Sequence, residues 1–227
     1  VAATEDGAAV PPAGTAPPGR RRPVLFVLAG VNGAGKSSIG GHLLRRAGLD
    51  WFNPDRFARE LVALTGCGIA AANGAAWQEG LRRLDEAVAT GRHHAFETTL
   101  GGETLAQRLR DATATHDVLV WYCGLASPEQ HLARVAARVA AGGHDIPEAK
   151  VRERWERSRL NLVALLPHVA RVKVYDNSAE AAPGAPVPDP RQVADIVAGR
   201  LVWPTRAAEL RLTPAWAKPL LAAAMGP

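Results

Sequence analysis

From Val24 onward, short apolar runs alternate with stretches in which large apolar residues recur every three or four positions. That alternation is the pattern of a parallel sheet whose strands are joined by crossover helices. The apolar runs predict strands at 24–29, 49–52, 93–97, 117–124 and 169–175. The periodic stretches predict helices at about 36–47, 56–65, 74–90, 102–114, 127–142, 147–166 and 190–202. Helix 127–142 carries its own punctuation: Ser127 caps it, Pro128 suits the first turn, Gln130 completes a capping box, and Gly142-Gly143 stops it. One face of helix 74–90 gathers Trp77, Leu81, Leu84 and Val88, a stripe that suits ordinary core packing.

The pattern also divides the chain. Residues 1–22 are Ala, Pro, Gly and Thr with almost no large apolar side chains, too little buried surface to offset the entropy of ordering, so a flexible tail is expected. Residues 23–202 form the α/β domain, with an Ala/Pro-rich loop at 179–190. Residues 203–227, broken by prolines at 204, 214, 219 and 227, read as a C-terminal appendage whose Trp203 and Trp216 pack on the domain. There is no internal repeat.

Composition narrows the classes. A chain of 227 residues, 47% apolar and 22% charged, is an ordinary soluble globular domain with room for a real core. No run approaches the roughly 18 unbroken apolar residues of a membrane span, and no signal-peptide core opens the chain, which predicts a cytoplasmic protein without a membrane partner. Cys67 and Cys123 are too few for a disulfide framework or a metal cage and read as small packing residues. The net charge of +5 concentrates in Arg20-Arg21-Arg22 and in the segment Arg134 to Arg159. Phosphate-handling arginines account for such an excess, and no aromatic stacking pattern for single strands accompanies it, so nucleic acid ranks low as a partner.

Chemistry enters where the first apolar run empties into glycine. Gly30-Val31-Asn32-Gly33-Ala34-Gly35-Lys36-Ser37 fits G-x-x-x-x-G-K-[ST] in full, with a strand before it and an amphipathic stretch after it. Glycines let the backbone curl with its N–H groups inward, and the helix N-terminus behind them adds positive partial charge, so an anion fits. Gly30, Asn32, Gly33, Ala34, Gly35, Lys36, Ser37 and Ser38 are the candidate ATP-binding residues. Lys36 would reach the terminal phosphates, and the Ser37 hydroxyl would hold Mg²⁺, a hard cation that takes oxygen ligands.

In open parallel sheets, ligands sit beyond the carboxyl ends of the strands. After the second predicted strand, Asn53-Pro54-Asp55 leaves Asp55 at the start of a helix, where it either accepts a proton from an attacking hydroxyl or caps the helix. After the third come Glu97, Thr98 and Thr99, then two glycines that permit close approach. A carboxylate at the end of an apolar run is costly unless it meets a cation or a ligand; a capped strand-to-helix turn is the plainer alternative. The fourth strand ends without an acidic residue, so Asp55 or Glu97 would have to assist Mg²⁺.

Two helices joined by the turn Gly142-Gly143-His144-Asp145-Ile146-Pro147 carry Arg134, Arg138, Arg152, Arg154, Arg157 and Arg159. They look like a lid, and guanidinium groups stabilise charge on a moving phosphoryl group. Arg138 and Arg154 lead as candidates. His144 suits a structural turn better than a catalytic role, and His93-His94 show no ligand spacing.

Taken together in this order, the phosphate loop, Asn53-Pro54-Asp55, Phe96-Glu97-Thr98-Thr99 and the stretch Arg138 to Glu148 resemble the zeta-toxin family of P-loop kinases, over about Val24 to Asn177. The resemblance implies a P-loop NTPase-type α/β fold, a parallel sheet flanked by helices with an arginine-bearing lid. It implies ATP- and Mg²⁺-dependent phosphorylation of a sugar hydroxyl in a nucleotide sugar such as UDP-N-acetylglucosamine. By that likeness Asp55 matches the catalytic base, Lys36 and Ser37 the ATP–Mg²⁺ site, Glu97 with Thr99 the sugar contacts, and Arg138 with an arginine in 152–154 the phosphate-stabilising pair. Thr98 and Asn53 join the candidate acceptor contacts. The compact chain and its Gly-Gly-His turn resemble the shorter chromosomal members more than the plasmid-borne toxins. The family further implies a small antitoxin that blocks the ATP site. Two other readings stay open: a kinase of another small hydroxylated metabolite or drug, and a nucleotide-switched binding protein.

Overall fold

The computed structural model describes residues 22–37, 40, 50–180 and 188–226. The N-terminal tail up to residue 21, most of the predicted helix 36–47, Ser38 and the middle of the 179–190 loop lie outside these residues. Six strands form one sheet: β1 (Val24–Ala29), β2 (His94–Thr98), β3 (Asp117–Gly124), β4 (Arg171–Asp176), β5 (Arg191–Val197) and β6 (Arg200–Trp203), in the order β2-β1-β3-β4-β5-β6. The first four run parallel; β5 and β6 are antiparallel additions at one edge. The helices are α1 (Pro54–Thr65), α2 (Ile69–Thr90), α3 (Glu103–Ala112), α4 (Pro128–Ala140), α5 (Glu148–Leu165), α6 (Ala207–Arg211) and α7 (Lys218–Met225).

Central position explains the strand sequences. From Leu25 to Ala29, β1 is buried on both faces, as a strand flanked by two neighbours and covered by helices must be. Leu25, Val27, Val118, Val120, Val172 and Val174 turn to one face and meet Leu109 of α3, Leu162 and Leu165 of α5, and Leu220 and Leu221 of α7. Phe26 turns to the other and stacks edge-on against Trp121, 4.6 Å between ring centres. Residues from beyond position 203 belong to the principal core: Trp216, Ala217, Leu220, Leu221 and Ala224 are all buried in it, whereas Trp203 stays 38% exposed. The Trp216 ring lies where a Cβ on Gly124 would stand.

Two elements differ from expectation. The predicted strand at 49–52 reduces, within 50–52, to one parallel bridge at Phe52, whose backbone exchanges hydrogen bonds of 2.9 Å with Ala95 and Glu97. That bridge still carries Asn53 to the end of β2. The predicted helix 190–202 is instead the hairpin β5–β6. Ala198 and Gly199 both take positive φ, 47° and 76°, the backbone twist that a two-residue hairpin turn requires. Asp195 is buried there and receives two hydrogen bonds from Arg171 of β4, at 2.8 and 2.5 Å, which ties the antiparallel pair to the parallel sheet.

Candidate functional site

The phosphate loop follows β1 and lies against the end of β3. Gly30 has φ +142°, and a Cβ there would stand 2.2 Å from the Cys123 carbonyl oxygen, so only glycine fits. Gly33 has φ +82° and packs against the His131 backbone. Lys36 and Ser37 open the helical turn after the loop.

Four residues from three parts of the chain converge at that turn. The Ser37 hydroxyl is 3.0 and 2.8 Å from the two carboxylate oxygens of Glu97. Asn53 Nδ2 donates to Glu97 at 2.8 Å and to Ser37 Oγ at 3.3 Å. Lys36 Nζ is 3.7 Å from Glu97 and donates to the Val31 carbonyl at 3.3 Å. Glu97 is nearly buried, and these partners satisfy the charge that burial would otherwise penalise. They also settle its surroundings: Glu97 meets side chains of the loop and of Asn53 rather than capping a turn. The Asn53 Oδ1 accepts from Arg56 N at 2.9 Å, so Asn53 caps α1, and Asp55 in the first turn keeps its carboxylate free of that duty.

The lid arginines approach from α4 and α5. Arg138 lies 3.8 Å from the Asp55 carboxylate and donates to the His144 carbonyl at 3.2 Å. Arg154 donates to Asn32 Oδ1 at 2.8 Å, and burial lowers its pKa while the Asp55 charge opposes that shift. Its stem packs on Gly101, where a Cβ would stand 3.0 Å from Arg154 Cγ. Arg134 turns elsewhere, to the Asn177 carbonyl at 2.7 Å; Arg152 pairs with Glu129 and Glu148, and Arg157 with Glu103 and Glu153. Ser127 and Gln130 cap α4, although the Gln130 carbonyl reaches Ala126 N rather than the Ser127 amide.

Between these groups opens a cavity of about 350 Å³. Lys36, Asp55, Glu97 and Arg154 line one side; Phe52, Trp77, Leu81 and Leu105 supply an apolar wall. Thr98 and Thr99 line it as well, though the Thr98 hydroxyl accepts from Leu100 N at 2.9 Å. Leu100, buried and next in the chain after these threonines, holds φ +53°, a strained backbone for a non-glycine residue. Burial pushes the Cys123 thiol up to about 12, so it stays protonated.

The sequence model of the AAA domain family matches residues 25–162, well over half of the chain. The chain belongs to the AAA domain family. Its matched AAA domain runs from β1 through the phosphate loop to the last turn of α5, and so includes the lysine, both carboxylates and both leading arginines. Among solved structures, it resembles the AvrRxo1-ORF1:-ORF2 complex with ATP at 17% identity and a TM-score of 0.62, covering 91% of this chain and 66% of that one. It also resembles a structure of the PezAT chromosomal toxin–antitoxin system of Streptococcus pneumoniae, at 14% identity and a TM-score of 0.51, covering 70% of this chain and 68% of that one. These likenesses show a P-loop α/β fold, and the chain spans about two thirds of the length of each neighbour. No curated protein matches the sequence. Among the described residues, no helix of the AAA domain or its flanks is long and apolar enough to cross a membrane.

Among the described residues there is no group of three or more His, Cys, Asp or Glu arranged so that it could hold a metal ion. Mg²⁺ needs none, since it is bound through one or two carboxylates together with substrate phosphates. Ser37 Oγ and the Glu97 carboxylate are hard oxygen donors side by side, and they fit that ion. β3 ends in Cys123-Gly124, while Asp176 at the end of β4 is taken by Trp216 Nε1 at 3.1 Å. Glu97 is thus the carboxylate nearest the loop serine, a place the sequence reading left between Asp55 and Glu97. Two further residues escaped that reading: His131 and Asn177. A hint for His131 was its spacing of four from the apolar Val135 on one face of α4.

Proposed function

We propose that the chain is an ATP- and Mg²⁺-dependent phosphotransferase that moves the γ-phosphate to a sugar hydroxyl of a nucleotide sugar such as UDP-N-acetylglucosamine. The observation that carries it is one cavity bordered at once by the loop lysine Lys36, the Asp55 carboxylate that caps no helix, and the lid residue Arg154. In this reading the acceptor hydroxyl loses its proton to Asp55, its oxygen forms a bond to the γ-phosphorus, and the bond to the β-bridging oxygen breaks to release ADP. Lys36, Arg138 and Arg154 hold the charge on the transferring group. Ser37 and Glu97 would hold Mg²⁺, which supplies charge neutralisation on the phosphates. Asn53, Thr98 and Thr99 orient the acceptor.

The apolar wall of Phe52, Trp77 and Leu105 favours a second reading, a kinase of another small hydroxylated molecule with an apolar face. ³¹P NMR of the protein with ATP, Mg²⁺ and a panel of UDP-sugars and apolar alcohols separates the two. A phosphomonoester on the nucleotide sugar that disappears in Asp55→Asn supports the first; phosphate appearing only on another acceptor supports the second. ATP bound with no acceptor phosphorylated rejects both. The named toxin–antitoxin neighbour also motivates a cytoplasmic protein held by an antitoxin, to be tested by co-purification with the product of an adjacent reading frame.

A further inference from the structure

The glycines that let the phosphate loop curl create a problem of their own. The peptide units leading into Gly33 and Gly35 are flanked by residues with φ +82° and +84°, where glycine moves at little steric cost. Either unit can flip, and a flipped unit aims a carbonyl rather than an N–H at the anion. The carbonyls of those two units are those of Asn32 and Ala34, and both are held. His131 Nδ1 bonds the Asn32 carbonyl at 2.7 Å, and Asn177 Nδ2 bonds the Ala34 carbonyl at 2.9 Å. Both side chains are buried, and neither lines the cavity. Asn177 is itself fixed, its N–H on the Gly124 carbonyl at 3.0 Å and its own carbonyl on Arg134 at 2.7 Å.

We infer that His131 and Asn177 are positioning residues that lock the two flippable peptide units of the phosphate loop, so that its N–H groups face the nucleotide before it arrives. The lock acts through hydrogen-bond donation to the loop and touches no substrate. It rests on the kinase reading only in that the loop must hold phosphate. A lost donor leaves a buried carbonyl without its partner and frees the unit to turn, so nucleotide affinity falls while chemistry at saturation changes little.

The test is ATP affinity of the full chain by titration calorimetry without acceptor, together with KM for ATP and kcat where turnover is measurable. His131→Leu removes the donor, and His131→Asn places an amide N–H near the former Nδ1. Asn177→Asp keeps the shape and replaces the donor by an oxygen. Affinity is expected to fall about 10- to 100-fold in His131→Leu and Asn177→Asp and to stay within about threefold in His131→Asn, the size of one buried hydrogen bond. KM should rise with kcat nearly unchanged. Wild-type affinity in Asn177→Asp, or equal losses in His131→Asn and His131→Leu, overturns the proposal. If His131→Leu fails to fold, Asn177→Asp and His131→Asn still decide it. A wild-type chain that binds no ATP overturns the kinase reading and this inference together, whereas intact wild-type binding with unaffected variants overturns this inference alone.

Discussion

Ser37 and Glu97 meet directly, hydroxyl to carboxylate at 2.8 Å, although one lies in the helical turn behind the phosphate loop and the other is the last residue but one of β2. With no acid at the end of β3, this pair sets a carboxylate and a hydroxyl side by side at the turn that follows the phosphate loop. Glu97→Gln preserves the shape and removes the charge. The Mg²⁺ concentration for half-maximal activity is expected to rise about 10- to 100-fold, measured by Mg²⁺ titration at fixed ATP. An unchanged Mg²⁺ requirement with a raised acceptor KM would return Glu97 to the acceptor side of the cavity.

The turn between the lid helices is shaped around an arginine. A Cβ on Gly143 would stand 2.8 Å from Arg138 Cγ and 2.9 Å from the Arg138 carbonyl oxygen. Gly143→Ala is therefore expected to displace Arg138 and lower kcat about 10- to 100-fold, since a shift of about 1 Å in a positioned group is enough for that loss. Circular dichroism should show the native helix content. Full activity in this variant would remove Arg138 from the proposed transfer step.

Acid should find a weak point at the phosphate loop. Burial, with Lys36 and Arg134 nearby, pushes the His131 pKa down to about 4, against a partial opposing effect of its bond to Asn32. The unfolded chain therefore binds a proton that the folded one refuses between about pH 6.5 and pH 4. Stability is full above that window and falls as the pH drops through it, by roughly 3 kcal/mol in all. Urea unfolding of wild type and His131→Asn at about pH 7.5 and about pH 4.5 should show the smaller acid loss in the variant. Equal losses would show that the imidazole plays no part in them.

Asp195 is buried in β5, and Arg171 grips it with two hydrogen bonds. Asp195→Ala should lower stability by about 2 kcal/mol, because the arginine retains partial access to water and the loss is smaller than for a fully buried pair. The urea midpoint reads it, and an unchanged midpoint would mean that the hairpin is held by its apolar residues alone.

How much of this was legible depended on range. β1, β3 and the phosphate loop follow from local pattern, since a central strand must be apolar on both faces and the loop needs glycine at fixed places. The hairpin was misread because Val193 and Ile196 stand three apart, a helical spacing, and because Ala198-Gly199 is a weaker turn signal than Asn-Gly. Asn53 and Asp55 flank Pro54, and either suits a cap; only the bond from Arg56 N decides between them. His131 meets Asn32 across 99 positions and Asn177 meets Ala34 across 143, contacts that topology makes and no local window contains.

The hairpin at the sheet margin has one more consequence. Without β5 and β6, the parallel strand β4 would offer a row of unpaired N–H and C=O groups to any other extended chain, the usual template for aggregation. The hairpin moves that margin outward to a four-residue strand, and the short β2 at the opposite margin is partly covered by the Phe52 bridge. Substitutions that loosen the Ala198-Gly199 turn should therefore show themselves first as clumping on heating rather than as altered catalysis.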